Sequence, residues 1–282
     1  MAELIDYLTR AVQDGASDLF LVAGGVVSEK LDGHIRSIAE EKLLPPETRR
    51  LISDLYRMAQ RPMETYLQRR DDDFSFAVPG LARFRVNAYF QRGSLAAVVR
   101  VVAFDIPDWQ TLRIPEEVMK LADVSHGMVL VTGTAGSGKS TTQACIIDRI
   151  NRTRECHIIT LEDPIEFLHR DQKSIISQRE IAIDTADYLS ALRACLRQAP
   201  DVILLGEMRD EETIHTAMTA AETGHMVMAT LHTKGTANAI DRVIDSFPST
   251  QQAQERVQLS MVLRTVVSQQ LLPDKNGGLV PA

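Results

Sequence analysis

Residues 128–141 (MVLVTGTAGSGKST) contain the most specific chemical pattern in the sequence. A short apolar run ends in a loop of small residues that reads Gly133-x-x-x-x-Gly138-Lys139-Ser140 and leads directly into a helical pattern. Glycines let backbone N–H groups close around phosphate oxygens, and a helix N-terminus adds positive potential there. In this P-loop signature the lysine reaches the β- and γ-phosphates, and the serine hydroxyl binds Mg²⁺. The pattern predicts a nucleoside triphosphate site with these contacts: Gly136, Ser137, Gly138, Lys139, Ser140 and Thr141.

Two acidic segments could supply the carboxylates that nucleotide hydrolysis needs. The apolar run 202–205 leads into Gly206-Glu207, which is typical of a strand that delivers an acid to a magnesium site, so Glu207 is predicted to hold Mg²⁺. Residues 160–166 (TLEDPIE) place Glu162, Asp163 and Glu166 around a proline turn, and one of these acids could polarise the attacking water. By pattern alone, a solvated strand end explains the segment with Glu207 equally well, and a capping or surface turn explains residues 160–166.

Histidines stand at both ends of the apolar run 226–231. His225 precedes the run and His232 follows it. Ligands bind at the carboxyl ends of strands in parallel sheets, so His232 is predicted to contact the phosphate or metal region. A lone histidine is more often structural, and this alternative weighs more for His225.

Arginines of the first hundred residues form a second candidate group. In residues 83–91 apolar and polar side chains alternate, so that Arg83 and Arg85 share one face of a strand. Arg100 lies in the next apolar run, residues 95–102. Two interpretations stay open: a solvated sheet face, or a rigid cationic face that reaches the nucleotide of a neighbouring subunit.

Composition narrows the class of protein. With 282 residues, 44% hydrophobic and 24% charged, the chain is long enough for two ordinary globular domains. The net charge of -7 argues against direct nucleic-acid binding. Three widely spaced cysteines favour a reducing compartment over disulfides or a zinc site. The start MAELIDYLTR is not a secretory signal, and no apolar run is long enough to span a bilayer. We therefore expect a cytoplasmic protein without a transmembrane segment.

The order of elements predicts two domains and a linker. A smaller domain covers residues 1–104, and within it Asp71, Asp72 and Asp73 predict a solvated bend. A linker covers 105–114, where Pro107 and Trp109 interrupt both periodicities. In the second domain, 115–282, strands at 128–131, 157–161, 202–205 and 226–231 alternate with helices that include 115–122, 186–198, 211–222, 237–246 and 251–270. This alternation predicts a parallel sheet covered on both faces.

Five segments in fixed order carry a family resemblance: GTAGSGKST, ITLEDPIEF, SQREI, RQAPDVILLGEMRDEETI and AAETGHMVMATLHT. They resemble the secretion-superfamily ATPases, and among them the type IV pilus retraction ATPases of the PilT type. The similarity also includes SDLFLVAG and ARFRVNAYFQR in the first domain, so it covers nearly the whole chain. The resemblance implies an α/β fold in which a RecA-like P-loop NTPase domain follows a smaller α+β PAS-like domain, and a homo-hexameric ring.

The resemblance also implies roles for individual residues. Residues 162–166 match the family's Asp box, whose last glutamate is catalytic, which is here Glu166. Glu207 matches the Walker B glutamate, and His225 and His232 match the His box. The family's N-terminal-domain arginines approach the nucleotide, and the positions here that match them are Arg83, Arg85 and Arg100.

The sequence departs from the family pattern in two places. Ala135 stands where the family often has proline in the P-loop. The chain ends at Leu279-Val280-Pro281-Ala282, where relatives continue through a strand and helices that include a motif needed for retraction rather than hydrolysis. We expect a truncated chain that lacks the family's C-terminal helices.

The function implied is a hexameric motor ATPase that uses Mg-ATP to retract type IV pili. It would act on an inner-membrane platform protein and lie at the cytoplasmic side of the inner membrane. The extension-type ATPases carry a longer N-terminal region and a cysteine-rich zinc element, and neither is present. The alternatives are a pilus-assembly or type II secretion ATPase with the same active site, and an accessory retraction subunit with low turnover. A GTPase is disfavoured because no NKxD motif occurs.

Overall fold

Contacts within the chain divide it into two units, Met1–Phe104 and Asp105–Ala282. The computed structural model describes residues 2–31, 33–102, 106–274 and 279–282. The elements of the first unit are α1 (Ala2–Gln13), β1 (Asp18–Val22), β2 (Val26–Leu31), β3 (His34–Lys42), α2 (Pro45–Met58), α3 (Glu64–Arg69), β4 (Asp71–Val78), β5 (Ala82–Gln91) and β6 (Ser94–Val102).

Alternating side chains form the core of the first unit. Its strands pair antiparallel in the order β3-β2-β1-β6-β5-β4. Along β5 the side chains of Phe84, Val86 and Ala88 are fully buried, which confirms the predicted period of two. Helix α2 packs against β6 and β1, and its Tyr56 ring lies 4.6 Å from that of Phe74 on β4. One face of the sheet is therefore covered by helices and aromatic rings.

Two of the predicted site arginines, Arg85 and Arg100, lie on neighbouring strands of this unit. Arg85 of β5 stands opposite Arg100 of β6, and Arg100 stands opposite Asp18 of β1. The Arg100 Nε donates a hydrogen bond to the Asp18 carboxylate at 3.0 Å. Asp18 is 6% exposed and the Arg100 side chain is 63% exposed, so the pair joins a buried carboxylate of β1 to an arginine at the surface of the sheet.

The predicted bend at residues 71–73 is wrong. Asp71, Asp72 and Asp73 all belong to β4 and pair with β5. The Asp72 carboxylate accepts hydrogen bonds from the Tyr56 hydroxyl at 2.9 Å and from Arg61 at 2.9 and 3.1 Å. Because these partners replace water, the aspartate can lie in a strand at the edge of the sheet.

The second unit contains the predicted parallel sheet, in the order β12-β7-β11-β10-β8-β9. Helices α5, α6 and α7 connect its strands. The elements of this unit are α4 (Glu116–Met119), a 3-10 turn (Lys120–Asp123), β7 (Gly127–Thr132), α5 (Lys139–Thr153), β8 (His157–Glu162), β9 (Ile175–Glu180), α6 (Tyr188–Cys195), β10 (Val202–Leu205), α7 (Glu211–Glu222), β11 (Met226–Leu231), α8 (Thr236–Asp245), α9 (Gln252–Val262), β12 (Leu263–Ser268), β13 (Leu271–Pro273) and β14 (Leu279–Pro281).

The predicted helix over 251–270 is correct only as far as Val262. Residues Leu263–Ser268 instead form β12, the edge strand beside β7. Thr265, Val266 and Val267 are β-branched and therefore favour an extended backbone. Pairing with β7 supplies backbone hydrogen bonds that a local pattern does not reveal. Strand β9 and the β13–β14 hairpin are likewise absent from the sequence prediction.

Two predicted helices are shorter than expected. Helix α6 covers Tyr188–Cys195 instead of 186–198. It begins at Tyr188 because the Asp187 side chain accepts a hydrogen bond from the Ser190 N–H at 2.7 Å and caps the helix. The predicted helix over 115–122 is α4 followed by the 3-10 turn.

The first residues of the second unit fold back on its own core. Ile106, Trp109 and Leu112 pack against its core. In the described part of the chain, no helix combines the length and the hydropathy that crossing a membrane requires.

Candidate nucleotide-binding site

The carboxyl ends of β7, β8, β10 and β11 meet at one edge of the parallel sheet, and a pocket opens there. Several predicted site residues line it together: Gly136, Lys139, Ser140, Glu166, Glu207 and His232. These residues come from four separate segments of the chain. They meet because Leu205 is paired with Leu161 and with Ala229, and Leu231 with Thr132. The position agrees with the rule that open parallel sheets bind ligands at their carboxyl edge.

The P-loop connects β7 to α5 through three glycines in unusual backbone conformations. Gly133, Gly136 and Gly138 have φ values of 153°, 75° and 86°. The Lys139 Nζ donates hydrogen bonds to the backbone carbonyls of Gly133 and Thr134, both at 2.9 Å. The lysine side chain is thereby folded back over the loop, with its amino group held at the pocket wall.

Two opposing effects act on the pKa of Lys139, which is 7% exposed. Burial lowers the pKa of its ammonium group below the ordinary value, while the carboxylates of Glu166 and Glu207 act in the opposite direction. Both acids are therefore close enough to influence the lysine electrostatically. A cation between two carboxylates is suited to binding a polyphosphate with its divalent cation.

Of the three acids at the end of β8 and in the turn after it, Glu162 and Glu166 have different surroundings. Glu162 accepts hydrogen bonds from the Thr160 hydroxyl at 2.5 Å and from the Gln178 amide at 3.2 Å. Burial raises the pKa of Glu162 to about 7, against the effect of these hydrogen bonds, and the charge of Glu166 raises it further. Glu166 is exposed and lines the same pocket. Of these two acids, Glu166 is the one that solvent and a substrate can reach.

Glu207 follows β10 and has two cationic or potentially cationic partners. Its Oε2 lies 2.6 Å from the Arg209 guanidinium, and its Oε1 lies 3.5 Å from His232 Nε2. Burial would raise the pKa of Glu207, but the Arg209 hydrogen bond and the charges of Arg209 and His232 outweigh it, so the pKa is lowered. Glu207 is therefore ionised at neutral pH, as a magnesium-binding carboxylate must be.

Gly206 is required by close packing beside Glu207. A Cβ at this position would lie 2.8 Å from the Tyr188 hydroxyl oxygen and 3.1 Å from the Leu161 carbonyl oxygen. The Gly206 carbonyl also accepts a hydrogen bond from the Thr230 hydroxyl of β11. These contacts from three elements determine where Glu207 leaves the strand.

Sequence reasoning missed several residues of this site. Arg209 had a signal, since it stands two positions after Glu207. Tyr188, Thr230 and His169 also line the pocket and had no distinctive spacing. Burial lowers the pKa of His169 to about 4, so this imidazole is neutral at pH 7.

Gln269 was missed as well. Its buried side chain hydrogen-bonds the P-loop from the end of β12.

Other predicted site residues lie elsewhere. His225 precedes β11, at the opposite edge of the sheet from the P-loop, where its Nδ1 lies 2.9 Å from the Ala220 carbonyl oxygen. The distance along the strand from His225 to His232 is about 23 Å at 3.3 Å per residue, so His225 does not join the pocket of its own chain. Arg83, Arg85 and Arg100 belong to the first unit. Their predicted contacts with nucleotide stay predictions.

The donors for a magnesium ion are few but suitable. Ser140, in the first turn of α5, and Glu207 line the same pocket. Within the described residues, no cluster of three or more His, Cys, Asp or Glu side chains could hold a metal ion. Mg²⁺ usually binds through one or two protein ligands together with substrate phosphates and water. A hydroxyl and an ionised carboxylate at one pocket fit that requirement.

The P-loop glycines allow a prediction about stability. A Cβ on Gly133 would lie 2.3 Å from the Gln269 carbonyl oxygen, whereas one on Gly136 would have open space around it. Gly136→Ala should lower the free energy of unfolding by about 1 kcal/mol through backbone strain alone. Gly133→Ala should lower it by roughly 3 kcal/mol, because the clash with backbone adds to the strain. Urea unfolding of both variants measures the difference, and equal losses would contradict the packing argument.

Glu162 predicts a pH dependence of stability. Its pKa in the folded protein, about 7, exceeds its ordinary value of 4.5. The folded state therefore holds this proton more tightly, and the group's contribution to stability is lost as pH rises through 7. Between pH 5 and pH 8 the wild type should lose roughly 2 kcal/mol more than Glu162→Gln. Chemical denaturation at both pH values gives the comparison. Parallel pH profiles would show that Glu162 titrates normally.

Comparisons with known proteins agree with this fold. The pattern of the family described as "Type II/IV secretion system protein" matches residues 2–276. The type IV pilus retraction ATPase PilT of Pseudomonas aeruginosa is 45% identical over 281 residues, which cover 99% of this chain and 81% of that protein. A twitching motility protein of Neisseria gonorrhoeae is 45% identical over 248 residues, covering 88% of this chain and 66% of that protein.

Structural similarity leads to the same family. The crystal structure of the pilus retraction motor PilT with bound ADP matches with a TM-score of 0.90 and 45% identity, and the match covers 100% of this chain and 81% of that one. It confirms the predicted fold class, a RecA-like ATPase domain after a smaller N-terminal domain. Since the family pattern and a relative of this similarity both extend over nearly all residues, the chain belongs to the type II/IV secretion system protein family.

Proposed function

We propose that this chain is a motor ATPase that couples hydrolysis of Mg-ATP to retraction of type IV pili. One observation carries the proposal: Lys139, Glu166, Glu207 and His232, from four separate segments of the chain, line one pocket at the carboxyl edge of the sheet. The similarity to a pilus retraction ATPase over 99% of the chain supports the direction of work. The pocket thus supports ATP hydrolysis, and the sequence similarity supports pilus retraction as the work that is done.

Phosphate binding belongs to the P-loop. Backbone N–H groups of Gly136, Ser137 and Gly138 would surround the phosphate oxygens at the N-terminus of α5. Lys139, released from the loop carbonyls, would extend to the β- and γ-phosphates. Thr141 stands next to Ser140 in the first turn of the helix. All of these P-loop contacts would be made with the phosphates, and none with the nucleobase.

Ser140 and Glu207 would hold Mg²⁺, the serine by its hydroxyl and the glutamate by its ionised carboxylate. When bound, the ion supplies charge neutralisation at the β- and γ-phosphate oxygens. Arg209 and His232 contribute by keeping Glu207 ionised and oriented. Replacing Arg209 would therefore raise the basicity of Glu207.

Glu166 would orient the attacking water and accept its proton. It is exposed, lines the pocket and acts electrostatically on Lys139, so it lies on the phosphate side of the acidic turn. Its neighbour Glu162 is hydrogen-bonded and has a pKa near 7, which suits it for supporting the turn. Water positioning and charge stabilisation are the main contributions of a protein to phosphoryl transfer.

The proposed assembly is a homo-hexamer. Arg83, Arg85 and Arg100 would complete the site of a neighbouring subunit, and His225 would act in the same assembly at a distance from its own pocket. Rotation between the two units, hinged near Pro107, would transmit work to a platform protein of the inner membrane. In this arrangement the protein is cytoplasmic and associates with the inner membrane through the pilus machinery.

Lys139→Ala tests nucleotide binding. The change removes the ammonium group that would bind the β- and γ-phosphates, so affinity for ATP should fall by a hundredfold or more, on the order of 3 kcal/mol. A titration with a fluorescent ATP analogue measures this. Lys173→Ala is the matched control, because Lys173 is an exposed lysine of the same unit. Unchanged affinity in Lys139→Ala would sink the assignment of this pocket.

Glu166→Gln tests the hydrolytic step and the ring together. Wild-type phosphate release per chain should rise with protein concentration, because sites shared between subunits exist only in the oligomer. The variant should lose about 100-fold or more in turnover while it still binds ATP, since the amide cannot accept the proton of water. Glu155→Gln, at an exposed glutamate, should behave as wild type. Turnover that survives in Glu166→Gln would remove this residue from catalysis, and a rate per chain independent of concentration would remove the shared site.

A further inference from the structure

Gln269 lies beside the P-loop although it is 132 positions away from Ser137 in the chain. It follows β12, the strand that pairs in parallel with β7, and Ser268 stands opposite Thr132. The Gln269 N–H donates to the Thr132 carbonyl oxygen at 2.8 Å and so continues this pairing by one residue. The side chain, 7% exposed, is thereby brought against the loop where β7 ends.

Two hydrogen bonds determine the orientation of the Gln269 amide. Its Nε2 donates to the Ser137 carbonyl oxygen at 2.8 Å, and its Oε1 accepts from the Thr142 hydroxyl at 2.9 Å. A carbonyl oxygen can only accept, so the NH₂ group must face Ser137. The amide therefore connects the loop to the first turn of α5 in one orientation only.

The loop glycines leave room for this contact. A Cβ on Gly138 would lie 2.9 Å from the Gln269 Nε2, and one on Gly133 would lie 2.3 Å from the Gln269 carbonyl oxygen. Both glycines also have positive φ values. The loop is thus shaped by the close approach of Gln269 on one side as well as by its own backbone preferences.

Holding a carbonyl also orients the N–H group of the same peptide unit. In a planar trans peptide the C=O and the following N–H point in opposite directions. Since the Ser137 carbonyl points to Gln269, the Gly138 N–H points away from it. We propose that Gln269 is a positioning residue that, by holding the Ser137 carbonyl, directs the Gly138 N–H at the phosphates of the bound nucleotide. The inference rests on the proposed function, because it needs a nucleotide at the P-loop.

The segment after Gln269 stabilises its position. Gln270 exchanges backbone hydrogen bonds with Ala282 at 2.9 and 2.8 Å, next to the β13–β14 pair. A Cβ on Gly138 would lie 3.7 Å from a methyl carbon of Leu271. Gln269 is therefore held between the sheet and a short hairpin, which limits the motion of its side chain.

The test compares Gln269→Met with Gln270→Met. Methionine keeps the unbranched shape and removes both hydrogen bonds, and Gln270 is the exposed neighbour that serves as matched control. Isothermal titration calorimetry with ADP gives the dissociation constant and the binding stoichiometry separately. For Gln269→Met we expect the dissociation constant to rise about tenfold with unchanged stoichiometry, because the peptide of Ser137 and Gly138 is no longer oriented. Gln270→Met should match the wild type.

A merely structural role predicts a different result. Misfolding of part of the sample lowers the stoichiometry and leaves the dissociation constant unchanged, and that outcome for Gln269→Met would overturn the inference. An unchanged constant with full stoichiometry would overturn it as well. If the wild-type chain does not bind ADP, the proposed function is wrong and the inference falls with it. If the wild type binds ADP and Gln269→Met has the same dissociation constant, only the inference is wrong.

Thr142 provides a second, independent arm of the test. Thr142→Val removes the hydroxyl that orients the Gln269 amide, while Thr142→Ser keeps it. We expect Thr142→Val to weaken ADP binding about threefold and Thr142→Ser to leave it unchanged. In the double variant with Gln269→Met, the loss should equal that of Gln269→Met alone, because the two residues act through one contact. Additive losses would show that Thr142 and Gln269 act separately.

Discussion

The parallel register of the second-unit sheet is the constraint on which the candidate site depends. Strands β7, β10 and β11 are buried along their whole length, and their paired positions are fixed by backbone hydrogen bonds. Because all of these strands run in one direction, their connecting loops leave the sheet at the same edge. The P-loop, the acidic turn, Glu207 and His232 are neighbours for this reason, although they come from distant parts of the chain.

This convergence also creates the electrostatics of the pocket. Lys139 is buried near the carboxylates of Glu166 and Glu207. Glu162 lines the same pocket, and its surroundings differ from those of Glu207. Arg209 and His232 lower the pKa of Glu207, whereas burial raises that of Glu162 to about 7. Acids of one pocket whose pKa values are moved in opposite directions are suited to different tasks. The same edge of the sheet therefore holds one acid that is ionised beside Arg209 and His232 and another that burial keeps close to neutral.

Much of the fold could be predicted because its signals are local. Strand β10, helix α7 and strand β11 have the predicted bounds. Each strand is a continuous apolar run, and the helix begins at a capping aspartate, so the residues that define these elements are neighbours in the chain. The prediction failed at β12, where a helical pattern continued past Val262 into residues that are extended only because β7 lies beside them. It failed at Asp72 as well, whose partners Tyr56 and Arg61 come from an earlier helix and the segment after it.

The sequence by itself determined the chemistry: the P-loop, the acids that could act with it, and the family resemblance. Each of these depends on residues adjacent in the chain, whose types and spacing can be read directly. Only the tertiary structure decided that Gln269 holds the P-loop and that Tyr188, Thr230 and His169 line the pocket beside it. These relations depend on strand register, which arises from many weak contacts between distant residues and therefore leaves no local pattern in the sequence.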